Sequence, residues 1–126
     1  MLPKSVRQAY HSLLKTLLIL QQHLEAKEPD VTGLQAIFEE IEQIFAAKIL
    51  PLTSLEAPLE LPERWQSIQT EIHRDWRLLR TDFLFWRTSS QRATAKTRLT
   101  LLKSRLARLI DYCQILDGED KNTGVD

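Results

Sequence analysis

Cysteine occurs once in this chain of 126 residues and glycine only three times. A single cysteine cannot close a disulfide within the chain and fits a reducing cytoplasm. So little glycine argues against a β-rich or loop-rich fold, and Gly33, Gly118 and Gly124 are too scattered to form a phosphate-cradling loop. No long apolar run exists. The most apolar stretch, Leu13–Leu20, is interrupted by Lys15 and ended by Gln21, Gln22 and His23, too short to span a bilayer. It lacks a small-residue cleavage site, so no signal peptide is expected. Metal chemistry has little to work with. His11, His23 and His73 are isolated, with no Glu-x-x-His unit and no His-Glu-x-x-His on any helix. Glu39, Glu40 and Glu42 read as a solvated helix face. No catalytic residue, cofactor site or metal site is expected, and the chain is read as a non-enzyme.

An apolar fraction of 43% is ordinary for a globular protein. A chain of this length can bury roughly two thirds of its unfolded surface, enough for a core without staples. One helical domain over residues 1–118 is expected, followed by a disordered tail over 119–126, whose one apolar residue is Val125. Net charge is zero but unevenly spread. Residues 1–63 carry 5 Lys/Arg against 9 Asp/Glu, residues 64–110 carry 11 against 3, and residues 111–126 carry 1 against 5. A basic middle between acidic ends is either neutralised inside the fold or offered to an acidic partner.

Apolar periodicity organises the chain as helices. Val6, Tyr10, Leu13, Leu17, Leu20 and Leu24 recur at steps of four and three, widened by Leu14 and Leu18, and predict a first helix from about Lys4 to Ala26. Pro3 suits its start, and Lys27–Asp30 with Pro29 makes the turn. Thr32 and Gln35 match a capping box for a second helix with the stripe Leu34, Ile37, Phe38, Ile41, Ile44 and Phe45. Pro51 disfavours helical geometry at Leu50, so this helix should end by about Lys48. The three prolines of Pro51–Pro62 exclude a regular helix across that stretch. Its leucines (52, 55, 59 and 61) suggest a segment tucked across a bundle.

A third helix from about Pro62 carries Trp65, Ile68, Ile72, Trp76, Leu79, Phe83 and Trp86 on one face, with the tryptophans read as packing. A fourth repeats Ala95, Leu99, Leu102, Leu106, Leu109, Cys113 and Leu116 as a coiled-coil-like seam, with Cys113 buried in it and Gly118 as terminator. As one continuous helix the two stripes would be rotated by roughly 140° from each other, and one neighbour could not cover both. A turn near Thr88–Ser90, whose hydroxyls can cap a new helix, removes the conflict. The fold class is therefore all-α, a four-helix bundle-like domain in which the third and fourth helices form a long antiparallel pair.

The basic surface is the functional candidate. Arg74, Arg77 and Arg80 lie off the third stripe. On the fourth helix Arg98, Arg105 and Arg108 share one side, and Arg92, Lys96 and Lys103 the other. Arginine's planar fork suits carboxylate and phosphate recognition, so an acidic protein, a nucleic acid or an anionic membrane could each bind. Neither a helix-turn-helix nor an RNA-binding motif stands out. Leu78 and Phe85 lie nearly opposite the third stripe. They need cover from the Pro51–Pro62 segment, from a second copy or from a partner, with self-association favoured. The candidate partner-binding residues are Arg74, Arg77, Leu78, Phe85, Arg98, Arg105 and Arg108. Reversing Arg98, Arg105 and Arg108 to Glu is expected to leave the fold intact.

The stretch HRDWRLLRTDFLFWR, followed by TRLTLLKSRLARLIDYCQIL, and the start MLPKSVRQAYHSLLKTLL together resemble the cyanobacterial heterocyst frequency control family PatD. The resemblance covers most of the chain and is weakest in Pro51–Pro62 and the tail. It implies a cytoplasmic, non-enzymatic regulator that limits how many cells of a filament become heterocysts. It also implies direct binding to the division GTPase FtsZ and modulation of its assembly, and assigns no individual residue to that contact. A nucleic-acid-binding regulator using the same basic surface is the alternative reading.

Overall fold

The computed structural model describes the backbone of residues 4–53 and 63–125 and the side chains of residues 4–52 and 63–116. Helix α1 spans Lys4–Leu24 and α2 spans Val31–Ile44. A π-helical turn at Phe45–Ile49 and a last helical turn at Leu50–Thr53 prolong α2. Helix α3 spans Glu63–Arg87 and α4 spans Arg92–Val125. The described residues contain no strand, and the fold is an all-α bundle.

The stripes read from the sequence face one core that draws on all four helices. From α1 it takes Val6, Tyr10, Leu13, Leu14, Leu17, Leu20 and Leu24, while Leu18, expected to widen the stripe, is exposed. Leu34, Ile37, Phe38, Ile41 and Phe45 come from the second unit, Trp65, Ile72, Trp76, Leu79 and Phe83 from α3, and Leu102, Leu106, Leu109, Cys113 and Leu116 from α4. Backbones pack closely between α1 and α2, α1 and α4, and α3 and α4. The α2–α3 seam is filled by rings instead. Phe38 stacks on Phe83 at 4.2 Å and on Trp76 at 5.7 Å, and Phe45 stacks on Trp76 at 5.3 Å. Such offset pairs add about 0.5–1.5 kcal/mol each beyond the area they bury. The helices therefore close a ring in chain order. Its α3–α4 hairpin is antiparallel, since Asp82 meets Arg105 while the earlier Asp75 meets the later Arg108.

Three boundaries depart from expectation for local reasons. The cap of α2 is Asp30, not Thr32. Its carboxylate accepts from the backbone N–H of Thr32 and of Gly33, both at 3.2 Å. An ionised oxygen at the helix N-terminus outcompetes a hydroxyl two residues later. Gly33 leaves room for it, because a Cβ there would stand 3.0 Å from the carboxylate oxygen. Next, α2 does not stop at Lys48. The Leu50 N–H reaches back five residues to the Phe45 carbonyl, so the turn widens just before Pro51, which has no N–H to place. Finally, Gly118 does not terminate α4, and no glycine of the described backbone has positive φ. A glycine inside a helix costs only about 1 kcal/mol, and no proline follows it. The side chains of the expected tail, 119–126, lie outside the described residues, as does the 54–62 part of the proline-rich segment, while Leu52 is half-buried against the core.

The turn between α3 and α4 falls where the rotation of the stripes requires it. Its hydroxyls close α3 rather than open α4. Thr88 Oγ1 donates to the carbonyls of Leu84 at 2.8 Å and Phe85 at 3.3 Å, and Ser89 Oγ donates to Phe85 at 2.7 Å. The last carbonyls of α3 are thereby satisfied without a left-handed cap.

Candidate functional site

The basic residues of the α3–α4 hairpin divide into those that hold the fold and those that face outward. Arg108 grips Asp75 with two nitrogens, Nε to Oδ2 at 3.1 Å and an Nη to Oδ1 at 2.8 Å. The Asp75 side chain is 0% exposed while that of Arg108 is 47% exposed. That hydrogen bond raises the Arg108 guanidinium further above its ordinary value. One turn nearer the hairpin tip, Arg105 Nε donates to Asp82, and both side chains are mostly covered. Two aspartates placed seven apart on α3 thus meet two arginines on α4 across the helix contact. Arg105 and Arg108 are read from sequence as partner-binding residues that can be reversed freely. Free reversal is the part that the structure corrects, because each neutralises a carboxylate that the packing of α4 has removed from water.

Other cations are also engaged. Arg80 donates to both oxygens of Glu42 at 2.8 Å and lies 5.7 Å from the Trp76 ring, and Arg87 donates to Gln35 at 2.8 Å. Both contacts bridge α3 to α2. Arg74 makes a 3.5 Å ion pair with Glu71, one turn away and well exposed, a contact worth little in water. Arg77 stands beside His73. Burial, and then the Arg77 charge, lower the pKa of His73 below the ordinary histidine range. The His73 ring meets Phe45 edge-on at 5.5 Å. Together Glu42, Phe45, Leu50, His73, Trp76, Arg77 and Arg80 line a groove of about 410 Å³ beside the π-helical turn.

The outward-facing set collects at the hairpin tip. Leu78 is half-buried, whereas Phe85, seven residues on, is 47% exposed. The Arg98 guanidinium lies 4.8 Å from the centre of the Phe85 ring, a cation held by the negative face of the π-system. Two shallow grooves share Arg98 as a wall. One, of about 250 Å³, runs along the turn between Phe85 and Thr94. The other, of about 390 Å³, follows the outer face of α4 past Ala93 and Thr97 to Leu101, which is 45% exposed. Leu101 escaped the sequence reading. It sits beside the seam residue Leu102 and off the stripe, and that misplacement is the signal that marks it.

Among the described residues, no group of three or more His, Cys, Asp or Glu side chains is placed to hold a metal ion. No helix there is long and apolar enough to cross a membrane. Tyr10 and Cys113 are fully buried at the α1–α4 contact. Burial first, and the nearby Cys113 second, push the Tyr10 phenol well above its ordinary range, while the Gln69 side chain opposes them.

The fold and surface define a four-helix bundle with a cationic, partly apolar hairpin tip. No protein-family model, curated protein or solved structure matches the chain.

Proposed function

We propose that this chain is a non-enzymatic cytoplasmic regulator that works by protein–protein contact, binding the division GTPase FtsZ and modulating its assembly, and so setting heterocyst frequency. The observation that carries the contact is the hairpin tip, where a partly buried Arg98 lies on the ring of Phe85 and borders Leu101, both apolar side chains being exposed. Exposed apolar side chains beside a cation suit a partner that is acidic and partly apolar. The identity of that partner rests on the resemblance of HRDWRLLRTDFLFWR and TRLTLLKSRLARLIDYCQIL to the heterocyst frequency control family. The test is co-sedimentation of the purified chain with GTP-assembled FtsZ of a filamentous cyanobacterium, with polymer followed by light scattering. The expected result is recovery in the pellet and a changed scattering amplitude. A chain that stays in the supernatant and leaves scattering unchanged refutes the reading.

The nucleic-acid alternative is weakened by the engagement of Arg80, Arg87, Arg105 and Arg108 within the bundle. Each phosphate contact adds to affinity and to salt dependence, and these side chains are drawn toward carboxylates and an amide instead. Self-association through Leu78 and Phe85 loses ground for a related reason. Leu78 is half-buried already, and a symmetric contact at Phe85 would bring Arg98 against its own copy.

A further inference from the structure

We infer that the hairpin tip is a docking strip for a short acidic segment bearing an apolar anchor, with Phe85, Arg98 and Leu101 as the reading residues. The inference deepens the binding role proposed above and rests on it for the identity of the natural partner, but not for the chemistry of the strip.

Charge selects the occupant's sign. Residues 83–110 contain seven Lys/Arg and no Asp or Glu. Arg87, Arg105 and Arg108 are held by Gln35, Asp82 and Asp75. Arg98 has the Phe85 ring as its neighbour, and among the described residues no acidic side chain lines either groove that it borders. Arg92, Lys96 and Lys103, on the other flank of α4, are exposed or half-exposed and add to the same positive field. A carboxylate arriving at Arg98 therefore meets a guanidinium already oriented on a ring and does not have to displace an acidic competitor.

Size selects the occupant's form. From Ala93 to Leu101 the strip runs about 12 Å along α4, taking a rise of about 1.5 Å per residue. That length accepts about four residues of extended chain at about 3.3 Å each. Phe85 and Leu101, each about half exposed, offer on the order of 200 Å² of apolar surface, far below the roughly 800 Å² per partner of a standard stable interface. A second copy of this chain would set Arg98 and the flanking cations against their own copies. A short segment needs only one apolar side chain seated between Phe85 and Leu101 and carboxylates on either side to meet Arg98 and the flanking field. Exchange should then be fast and salt-sensitive.

The test uses the full chain and fluorescence anisotropy with three labelled probes: a random glutamate–tyrosine copolymer, polyglutamate of the same length, and a single-stranded oligonucleotide of matched charge. The glutamate–tyrosine copolymer is expected to bind several-fold tighter than either other probe. Phe85→Ser with Leu101→Ser should abolish that preference, bringing the copolymer down to the level of polyglutamate, while Arg98→Gln should weaken both acidic probes several-fold. Arg98→Glu should favour a lysine–tyrosine copolymer over the acidic one, a gain that loss of folding cannot mimic. Equal binding of copolymer and polyglutamate, tighter binding of the oligonucleotide, or insensitivity to Arg98→Gln each overturns the inference, as does a dimer in solution that Phe85→Ser dissolves. The same variants taken into the FtsZ co-sedimentation separate the two claims. Copolymer binding without FtsZ binding leaves the strip standing and removes the proposed partner. FtsZ binding that survives Arg98→Gln and Phe85→Ser with Leu101→Ser keeps the partner and removes the strip.

Discussion

The Asp75–Arg108 pair makes a prediction that separates the two partners by their burial. Arg108→Ala leaves the Asp75 carboxylate, 0% exposed, without its two donors. Breaking a buried ion pair from one side costs about 3–5 kcal/mol. Because the Arg108 side chain is nearly half exposed, water can enter the vacated space, which lowers the expected cost to about 2–3 kcal/mol. Asp75→Ala is milder. The guanidinium it frees can turn to solvent and recover hydration, so the loss is about 1 kcal/mol. The two single substitutions should therefore differ by about 1–2 kcal/mol, or about 4–8 °C in Tm for a domain of this size. Replacing both by Leu should restore stability to within about 1 kcal/mol of the parent, because the desolvation cost disappears together with the attraction. The assay is thermal and urea unfolding followed by far-UV circular dichroism, with the combined Asp75→Ala, Arg108→Ala variant added to the parent and the two single variants to close a double-mutant cycle. Asp75→Ala as destabilising as Arg108→Ala, or worse, would refute the reasoning. By the same logic the joint reversal Arg98→Glu, Arg105→Glu, Arg108→Glu is expected to unfold the protein. It sets carboxylates against buried Asp82 and Asp75, so it cannot serve as a clean binding variant.

Three further outcomes are expected. His73 is held below the ordinary histidine range in the folded chain; its unfolded form therefore takes up a proton first, and stability should fall as pH drops below about 6.5 and on through the lowered folded value. His73→Gln should flatten that part of a stability-against-pH curve, and an unchanged slope would show that another group sets it. Asp30→Ala should cost about 1 kcal/mol as a lost helix cap, while Thr32→Ala should change stability by less than about half of that, read from urea midpoints. Cys113, fully buried, should react with a thiol reagent only at the rate at which the native fold opens, and labelling as fast as in the urea-unfolded chain would place it at the surface.

Periodicity made the architecture legible before any coordinates. The steps of four and three through Leu13, Leu17 and Leu24, through Ile37 and Ile41, and through Leu102, Leu106, Leu109 and Cys113 state which side of each helix leaves water, and all of these residues are buried. The break near Thr88 follows from the rotation between two stripes on neighbouring helices. Such statements need only the geometry of one helix. Helix ends were less legible, because local rivals decide them: Asp30 against Thr32 as the cap, and a widened turn that carries α2 past Lys48.

The roles of the arginines belong to tertiary structure alone. By sequence, Arg98, Arg105 and Arg108 are three equivalent cations on one side of α4. In the bundle, Arg105 and Arg108 lie against Asp82 and Asp75, while Arg98, about two turns nearer the hairpin end than Arg105, lies against the ring of Phe85. Which helix lies alongside, and at what register, is a long-range property that a helical repeat does not contain. Burial then turns an off-stripe aspartate from a solvated charge into a constraint on its partner. The same register leaves Phe85 and Leu101 in water, so the surface open to a partner was set by how α3 and α4 meet.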